Sequence, residues 1–426
     1  MNENFLNLHV LVTTSVANPN RDDAGAPKQV TYGGATRHRM SSQAMTRSKR
    51  VAYELTAGGD QITWRAKGGM VTLATTMATD LALQSGQPLT AAERTALQVL
   101  LATGVNALVI NREKALKAAQ TRARLKTDRD AKAAATAAGK GEVAPETETL
   151  IKDDADLETG KKDTLVWLAE HELLKLVTTS LAQLRSGSKA VDFVNKKGRT
   201  ASLSIAAFGR MFAFRPDLQN EAAVQRSHAF TTHAADIEPD YFTAVDDLPA
   251  VDSGSGAGHL DLNQFGGGVF YWHTNIDRRQ LWDTWTPGTD DAVTRERLTV
   301  FFEALLLALP SGKQATTAHK TVPDAVLAVS AKTPIALHQA FETPIRASSA
   351  GYRDASLAAL LDEHERVRAF TPRQVPSNAR FAGTLEVKLS EHITAEPSLD
   401  SLVASCVEWA LAGRTAHSNA EPTPET

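Results

Sequence analysis

The chain has 426 residues, a formal net charge of -3 and an ordinary apolar fraction of 42%. This near-neutral balance excludes a protein that coats nucleic acid by bulk charge, so any site for a polyanion must be local. Its one cysteine, Cys406, excludes an intrachain disulfide and a cysteine-rich metal site, and the lack of a signal sequence or a long apolar run predicts a cytoplasmic protein.

The first predicted element is a strand in "MNENFLNLHVLVT". Leu6, Leu8, Val10 and Val12 alternate with mostly polar residues there, which predicts one buried and one solvent-facing side. A polar loop, "TSVANPNRDDAGAPKQ", follows this strand.

A basic stretch comes next, with six Lys or Arg residues and no acidic residue between Lys28 and Arg50. Its second half predicts a helix that Ser41 or Ser42 caps. One side of this helix carries Gln43, Arg47 and Arg50. The other side is predicted to carry Ala44, Ser48, Val51, Ala52 and Leu55.

This stretch has the composition of a phosphate-binding surface. The start of a helix offers unpaired N–H donors, and guanidinium groups follow at one-turn intervals. Gly33 and Gly34 allow a close backbone approach, while Arg37 and Arg39 share one side of an extended segment. The alternative is a solvated basic helix face, and the spacing alone does not specify RNA.

The middle of the chain predicts helices from Leu73 to Leu184, with a mobile loop at "AAGKGEVAPETET". A strand is predicted from Ser202 to Phe214, followed by a short helix in "NEAAVQRSHAFTTHA". The segment from Asp236 to Gly268 is rich in Gly, Pro and Asp, which predicts a long hairpin-like excursion.

The last third predicts a strand in "GVFYWHTNID", a capped helix in "TDDAVTRERLTVFFEALLLAL" and a strand in "PDAVLAVSA". The tail after Ala412 is predicted to be disordered. Without the insertions, the order is β-α-β-β-α-β, an α+β fold with two helices on one face of an antiparallel sheet. This ferredoxin-like order is also that of RRM domains.

The opening "NLHVLVTTSVANPNRDDAGAPKQVTYGGATRHRMSSQAMTRSKR" resembles the CasC family, the repeated backbone subunit of the type I-E CRISPR complex Cascade. "GRM", "THAADIEPDYFTAVDDL", "GHLDLNQFGGGVFY" and "PSGKQATTAH" extend the resemblance in sequence order. It is close over about residues 1–60 and 190–345 and poorest over the helical region between them.

The resemblance implies an RRM-like palm with a helical finger and a long thumb loop. Copies would stack head to tail along one CRISPR RNA (crRNA), beside other Cascade subunits, and the guide would pair with double-stranded target DNA. The implied division is palm 1–60, finger 61–190, palm 191–232, thumb 233–268, palm and C-terminal helices 269–412, and tail 413–426.

Residue chemistry and the resemblance together give a set of RNA-binding candidates. Met211 would pack against bases without reading them, and Tyr241 and Phe242 would act at the thumb. A small satellite core is the alternative for these two aromatics. Thr46 and Ala35 stand where relatives carry lysine, which shifts the predicted track toward Arg37, Arg39 and Lys49. The full set is Arg21, Lys28, Arg37, Arg39, Ser41, Gln43, Arg47, Lys49, Arg50, Arg210, Met211, Tyr241, Phe242 and Lys313.

Enzymatic alternatives are weaker. His228, His233 and Asp236 have a spacing that fits a metal site poorly, and "PSGK" lacks the features of a nucleotide-binding P-loop. Asp22 and Asp23 are the strongest catalytic candidates, because related type III backbone subunits use an aspartate in this loop to cleave target RNA with Mg²⁺. A turn-forming pair is the simpler interpretation. We therefore expect a non-enzymatic protein with no cofactor, no metal and no membrane partner.

Overall fold

The structure, a computed structural model, divides into two compact units. One, the sheet unit, comprises Met1–Ala57 and Ala222–Thr426, and the other, the helical unit, comprises Gly58–Glu221. The residues that the structure describes are 3–66, 68–109, 165–189, 192–195, 198–212, 215–245, 257–375 and 378–418.

The strands are β1 Phe5–Ala17, β2 Gln29–Tyr32, β3 Ala35–Met40, β4 Thr63–Ala66, β5 Val166–Ala169, β6 Val224–Arg226, β7 Ala229–Thr231, β8 Glu238–Val245, β9 Ala257–Asp277, β10 Ala325–Ala331, β11 Ala379–Gly383 and β12 Ile393–Ala395. The helices are α1 Ser42–Ala57, α2 Gly69–Gln84, α3 Ala91–Val109, α4 Glu170–Ser186, α5 Leu203–Phe208, α6 Arg278–Thr284, α7 Asp291–Leu307, α8 Gln314–Thr317, α9 Arg353–Phe370 and α10 Leu399–Ser418.

The sheet unit is built on one large sheet in the order β12-β11-β10-β1-β9-β7-β3-β2, with β6 and β8 also pairing with β9. The long central strand β1 runs antiparallel to both β10 and β9. The predicted strands at the start of the chain, before α6 and near residue 325 are confirmed as β1, the second half of β9, and β10.

Both faces of this sheet are covered. Trp272 faces α1 and α7, where Tyr53 meets Phe301 edge to face at 5.8 Å. Its neighbour Tyr271 points to the other face and packs with Phe341 and α9. The predicted solvent-facing side of β1 is therefore wrong, because its polar side chains are buried under this second layer.

The helical unit packs α2, α3 and α4 around one apolar core, beside the β4–β5 pair. These helices agree with the prediction from Leu73 to Leu184, except that Val166–Ala169, predicted as helix, is the strand β5. The predicted loop "AAGKGEVAPETET" lies outside the described residues. Val194, Phe212 and Leu218 belong to the same core, and the chain up to Glu221 is part of the helical unit.

Three local predictions are wrong. The predicted strand from Ser202 is instead the short helix α5, because the Ser202 hydroxyl caps Ile205 N–H at 3.3 Å and Gly209, with φ 75°, ends the helix. The predicted helix around residues 220–234 is instead β6 and β7, which pair with β9. The tail is helical to Ser418, beyond the predicted end of order at Ala412.

The predicted hairpin excursion is present as β8 and the first half of β9. Their register runs from Glu238 opposite Phe265 to Val245 opposite Ala257. The glycines at the base of this hairpin allow close packing, because a side chain on Gly266 would meet the His38 ring at 2.2 Å. Most of the predicted tip, "SGSGAG", lies outside the described residues.

Candidate nucleic-acid interface

The polar loop after β1 is held by its own side chains. The buried Asn18 amide donates to the carbonyls of Gly25 at 2.8 Å and Gln264 at 3.0 Å, which ties the loop to the hairpin base. The Asp22 carboxylate accepts a hydrogen bond from Ala26 N–H at 2.9 Å, as a turn-forming aspartate does. Within the described ranges, no group of three or more His, Cys, Asp or Glu side chains could hold a metal ion.

The glycine pair forms the turn between β2 and β3. Gly33 has φ 56°, and a side chain there would lie 1.5 Å from the carbonyl oxygen of Glu342. Gly34 has φ 73° and open space around it. The close approach that Gly33 permits is therefore to the protein's own chain, and only Gly34 faces outward.

The start of α1 is largely satisfied from within the protein. Ser41 is the cap, and its hydroxyl accepts from Ala44 N–H at 3.2 Å. Ser42 N–H donates to His228 Nδ1 at 2.8 Å. Among the described residues, Gln43 N–H is left as the free donor of the first turn. The helix start alone is thus a weaker phosphate site than the sequence predicts.

His228, considered from the sequence only as a metal ligand, contacts the start of α1, a role that the sequence analysis missed. Its exposed ring accepts from the start of α1, and its Nδ1 lies 3.5 Å from Arg39 Nη1. Partial burial, with Arg39 and then Lys28 nearby, lowers the pKa of His228, so the ring stays neutral and can accept. No local sequence signal marks this contact, which depends on β7 pairing with β3.

Five of the predicted side chains are accessible on this part of the sheet unit, and we call them the basic ledge. Arg21, Gln43 and Arg47 are exposed, and Lys28 and Arg39 are half-buried. A backbone hydrogen bond joins two of them, because Arg39 N–H donates to Lys28 O at 2.7 Å. Four of the five side chains of the basic ledge are Lys or Arg, and the ledge is open to solvent.

Two predicted cations of the sheet unit are not accessible. Lys49 is fully buried, where its ammonium donates to Ala308 O and lies 4.9 Å from the Trp272 ring centre. Arg37 is also fully buried, and its guanidinium donates to Thr231 O at 2.8 Å and Phe341 O at 2.9 Å. Both side chains tie elements of the sheet unit together, which corrects their predicted place on a phosphate track.

The predicted sides of α1 also need correction. The side that faces the sheet consists of Met45, Lys49 and Tyr53, at successive four-residue steps. Leu55, predicted on the apolar side, is 80% exposed. Arg50 is half-buried and forms a 2.7 Å ion pair with Glu54, so it is engaged within the helix.

Lys313 lies in a tight loop beside the hairpin base. Its ammonium donates to the Asn263 side chain and lies 5.8 Å from the Phe265 ring centre. The preceding Gly312 is required there, because a side chain would meet Pro19 O at 2.5 Å. Lys313 therefore supports the base of the hairpin.

In the helical unit, Arg210 and Met211 have opposite environments. Arg210 is buried and forms a two-bond ion pair with the buried Glu172, at 2.5 and 3.0 Å. Its predicted role as an RNA contact is corrected by this burial. Met211 is 78% exposed, an unusual position for a large apolar side chain.

The two hairpin aromatics project from adjacent positions on β8. Tyr241 lies opposite Leu262 and is 73% exposed, while Phe242 lies opposite Asp261 and is 37% exposed. Neighbouring residues of a strand point to opposite faces, so the two rings cannot both lie on one side of the hairpin. The exposure of Tyr241 contradicts the alternative of a satellite core.

His233 and Asp236, which were considered as metal ligands, take part in hydrogen bonds that involve the backbone. His233 Nε2 accepts from Val269 N–H at 3.2 Å, and its ring stacks on Tyr352 at 3.7 Å. Asp236 contributes its main-chain carbonyl, 2.9 Å from His38 Nε2.

A search for membrane spans finds no helix of sufficient length and apolarity within the described ranges.

Residues 6–405 match a protein family described as CT1975-like protein. The chain belongs to this family. The match confirms the predicted relationship to a CRISPR-associated backbone family, and the type I-E subtype stays a prediction. No curated protein matches the chain in sequence.

Solved structures similar to this CT1975-like chain include one from a "CRISPR RNA-guided surveillance complex, pre-nicking". It is 25% identical with a TM-score of 0.70, over 95% of this chain and 100% of that one. A second chain, from a "CRISPR RNA-guided surveillance complex", is 24% identical with a TM-score of 0.55, over 95% and 99% of the two chains, and shows a shared fold.

Proposed function

We propose that the protein is a crRNA-binding backbone subunit of a Cascade-type surveillance complex. The observation that carries this proposal is the match, along nearly the whole of both chains, to a subunit of an RNA-guided surveillance complex. The basic ledge adds a physical reason, because its cations suit phosphate contacts, which carry no sequence information.

The basic ledge supports sequence-independent binding. Arg21, Lys28, Arg39 and Arg47 neutralise phosphates, and Gln43 donates from its side chain and its free backbone N–H. Met211 and Tyr241 supply apolar surface against bases. Guide sequence is then read by pairing with target DNA, while the protein supplies shape.

The finer fold proposal is an RRM-like palm. The order β1, α1, β7, β9, α7, β10, with β10-β1-β9-β7 adjacent in the sheet, supports it. The second strand is β7 rather than the segment after Ser202. Because both sheet faces are covered, RNA contacts come from loops and hairpins rather than from the open sheet of an ordinary RRM.

We further propose the type I-E assignment, with copies stacked head to tail and β8–β9 reaching the next copy as the thumb. The order of the sequence motifs supports the subtype, and the exposed hairpin aromatics support the contact. A head-to-tail contact builds an open array whose length the RNA sets. The Asp22 turn gives no support to the RNA-cleaving alternative.

The decisive test is what co-purifies with the protein when it is expressed with a CRISPR array and companion subunits. We expect a discrete RNA of about one spacer plus one repeat in length, protected from nuclease. Purified protein that carries no RNA, and binds no single-stranded RNA at low ionic strength even with those subunits, would contradict the proposal.

A further inference from the structure

Arg226 is a buried cation whose guanidinium has no partner. All three guanidinium nitrogens are enclosed and lack a hydrogen-bond acceptor among the described residues. Burial lowers the pKa of Arg226 to about 9, so the group is still charged at neutral pH. A buried, unpaired charge is unfavourable, and such groups in native proteins usually have a counter-charge.

Among the residues that the structure describes, the titratable groups that respond to Arg226 are bases. The titratable groups that register its charge are Lys49 and His273, and it contributes to lowering the pKa of each. The Lys49 ammonium donates to Ala308 O. No carboxylate among the described residues contributes to the pKa of Arg226. The missing counter-charge therefore has to be an anion from outside the described part of the chain.

The position of Arg226 allows the side chain to reach the surface. It ends β6, which pairs with β9 on one side and with no described strand on the other. The residue as a whole is half-buried although its nitrogens are enclosed, so its accessible area belongs to its carbon and backbone atoms. Because arginine has a long flexible stem, a rotation about its side-chain torsions can carry the guanidinium toward that accessible edge.

A bulge lies between Arg226 and the part of the chain that contacts the basic ledge. Arg226 lies opposite Thr274 and Phe230 opposite Tyr271, so four steps on one strand match three on the other. The extra residue lies in the Ser227–His228 step and turns His228 toward the start of α1. Arg226 is thus two residues from His228, which contacts Ser42 and lies beside Arg39.

We propose that Arg226 is a latent phosphate ligand, which turns outward from the edge of β6 when a phosphate group binds at the basic ledge. The phosphate belongs either to bound RNA or to free inorganic phosphate. Two features favour this occupant: the planar guanidinium fork matches phosphate oxygens, and the neighbouring cations attract the same charge. Binding of an RNA phosphate rests on the proposed function, whereas binding of free inorganic phosphate does not.

The test compares the full-length wild-type protein with Arg226→Met, which keeps the volume and removes the charge. In phosphate-free buffer, we expect Arg226→Met to be as stable as wild type or to melt about 2–4 °C higher, because an unpaired buried charge is gone. We expect its affinity for single-stranded RNA to fall about tenfold, with a salt dependence lower by about 0.7 in log–log slope. A merely structural arginine would not combine unchanged or raised stability with weaker binding.

Arg226→Lys and Arg47→Ala complete the design. Lys keeps the charge without the fork and should recover part of the affinity. If Arg47→Ala weakens RNA binding while Arg226→Met leaves affinity, slope and the melting shift in inorganic phosphate at wild-type values, the inference is overturned and the proposed function stands. If wild type binds no RNA, a phosphate-induced melting shift that Arg226→Met loses supports binding of free inorganic phosphate, and its persistence in Arg226→Met overturns the inference.

Discussion

Arg47 and Lys49 stand two positions apart on α1, and one is exposed while the other is enclosed. We expect Arg47→Ala to weaken RNA binding with little sequence dependence and to lower the salt slope by about 0.7, since one phosphate contact is lost. Lys49→Met is the matched control, because its ammonium faces Ala308 O and Trp272. Fluorescence anisotropy across a salt series measures both, and a flatter slope in Lys49→Met would contradict the assignment.

The buried pair of Arg210 and Glu172 predicts a large effect on stability. Arg210→Met should destabilise the helical unit by about 3–5 kcal/mol, because it leaves the Glu172 carboxylate buried without its partner. Urea unfolding followed by circular dichroism measures this loss. The double variant Arg210→Met/Glu172→Gln should recover most of it, and equal losses in the single and double variants would show that packing dominates.

The residue scale also shows where sequence reasoning fails. The spacing of the polar residues correctly places Gln43 and Arg47 on an exposed side of α1, because both positions follow from one helix and its cap. It misplaces Lys49, whose acceptor, Ala308 O, lies 259 residues along the chain. Arg37 and Arg210 fail for the same reason. The burial of a charged side chain depends on distant partners that local spacing does not encode.

Among the elements, β1 and β9 carry buried histidines beneath the segment that precedes α9. His273 Nε2 donates to Asn7 Oδ1 at 3.0 Å, and the same oxygen accepts from Ile335 N–H at 2.9 Å. The His9 ring stacks on His273 at 5.0 Å. Burial, then repulsion from His273, holds the pKa of His9 well below its usual range, and burial lowers the pKa of His273 to about 3.

These histidines predict loss of stability in mild acid. They stay neutral in the folded protein but bind protons in the unfolded chain below about pH 6.5, so their contribution is complete above that pH and falls as pH drops toward about 3. Each neutral histidine adds a slope of about 1.4 kcal/mol per pH unit. Urea unfolding between about pH 7 and pH 5 measures it. His273→Gln should flatten the slope, and an unchanged slope would exclude His273 as a source.

Alternation correctly predicts β1, whereas continuous apolar runs are predicted with mixed success. "AVLAVSA" is correctly predicted as the strand β10. "SLSIAAFG" is apolar at consecutive positions, which fits a buried strand or a helix equally, and Ser202 and Gly209 decide for the helix. β6 and β7 are each three residues long, too short for a period to show.

At the scale of the whole molecule, the chain has a net charge of -3, and its positive charge is concentrated locally at the basic ledge. A locally basic surface on a near-neutral chain binds RNA where the cations lie and leaves the remainder without attraction for nucleic acid. In the proposed array, the hairpin of β8 and β9, where Tyr241 is exposed, is the element that contacts the next copy.

We therefore expect a shortened hairpin to abolish assembly of several copies while folding and RNA binding are retained. Asp240 and Asn263 are register partners, so replacing residues 241–262 with Asn-Gly closes the strands with a two-residue turn and keeps the hairpin base. We expect the melting temperature to change by no more than about 2–4 °C and single-copy RNA binding to persist. Regular multi-copy assembly on an RNA of spacer length should be lost, as measured by mass and by electron microscopy. Tyr241→Ala in the intact hairpin is the control for the aromatic ring, and full-length assemblies formed by the shortened chain would refute a thumb at β8–β9.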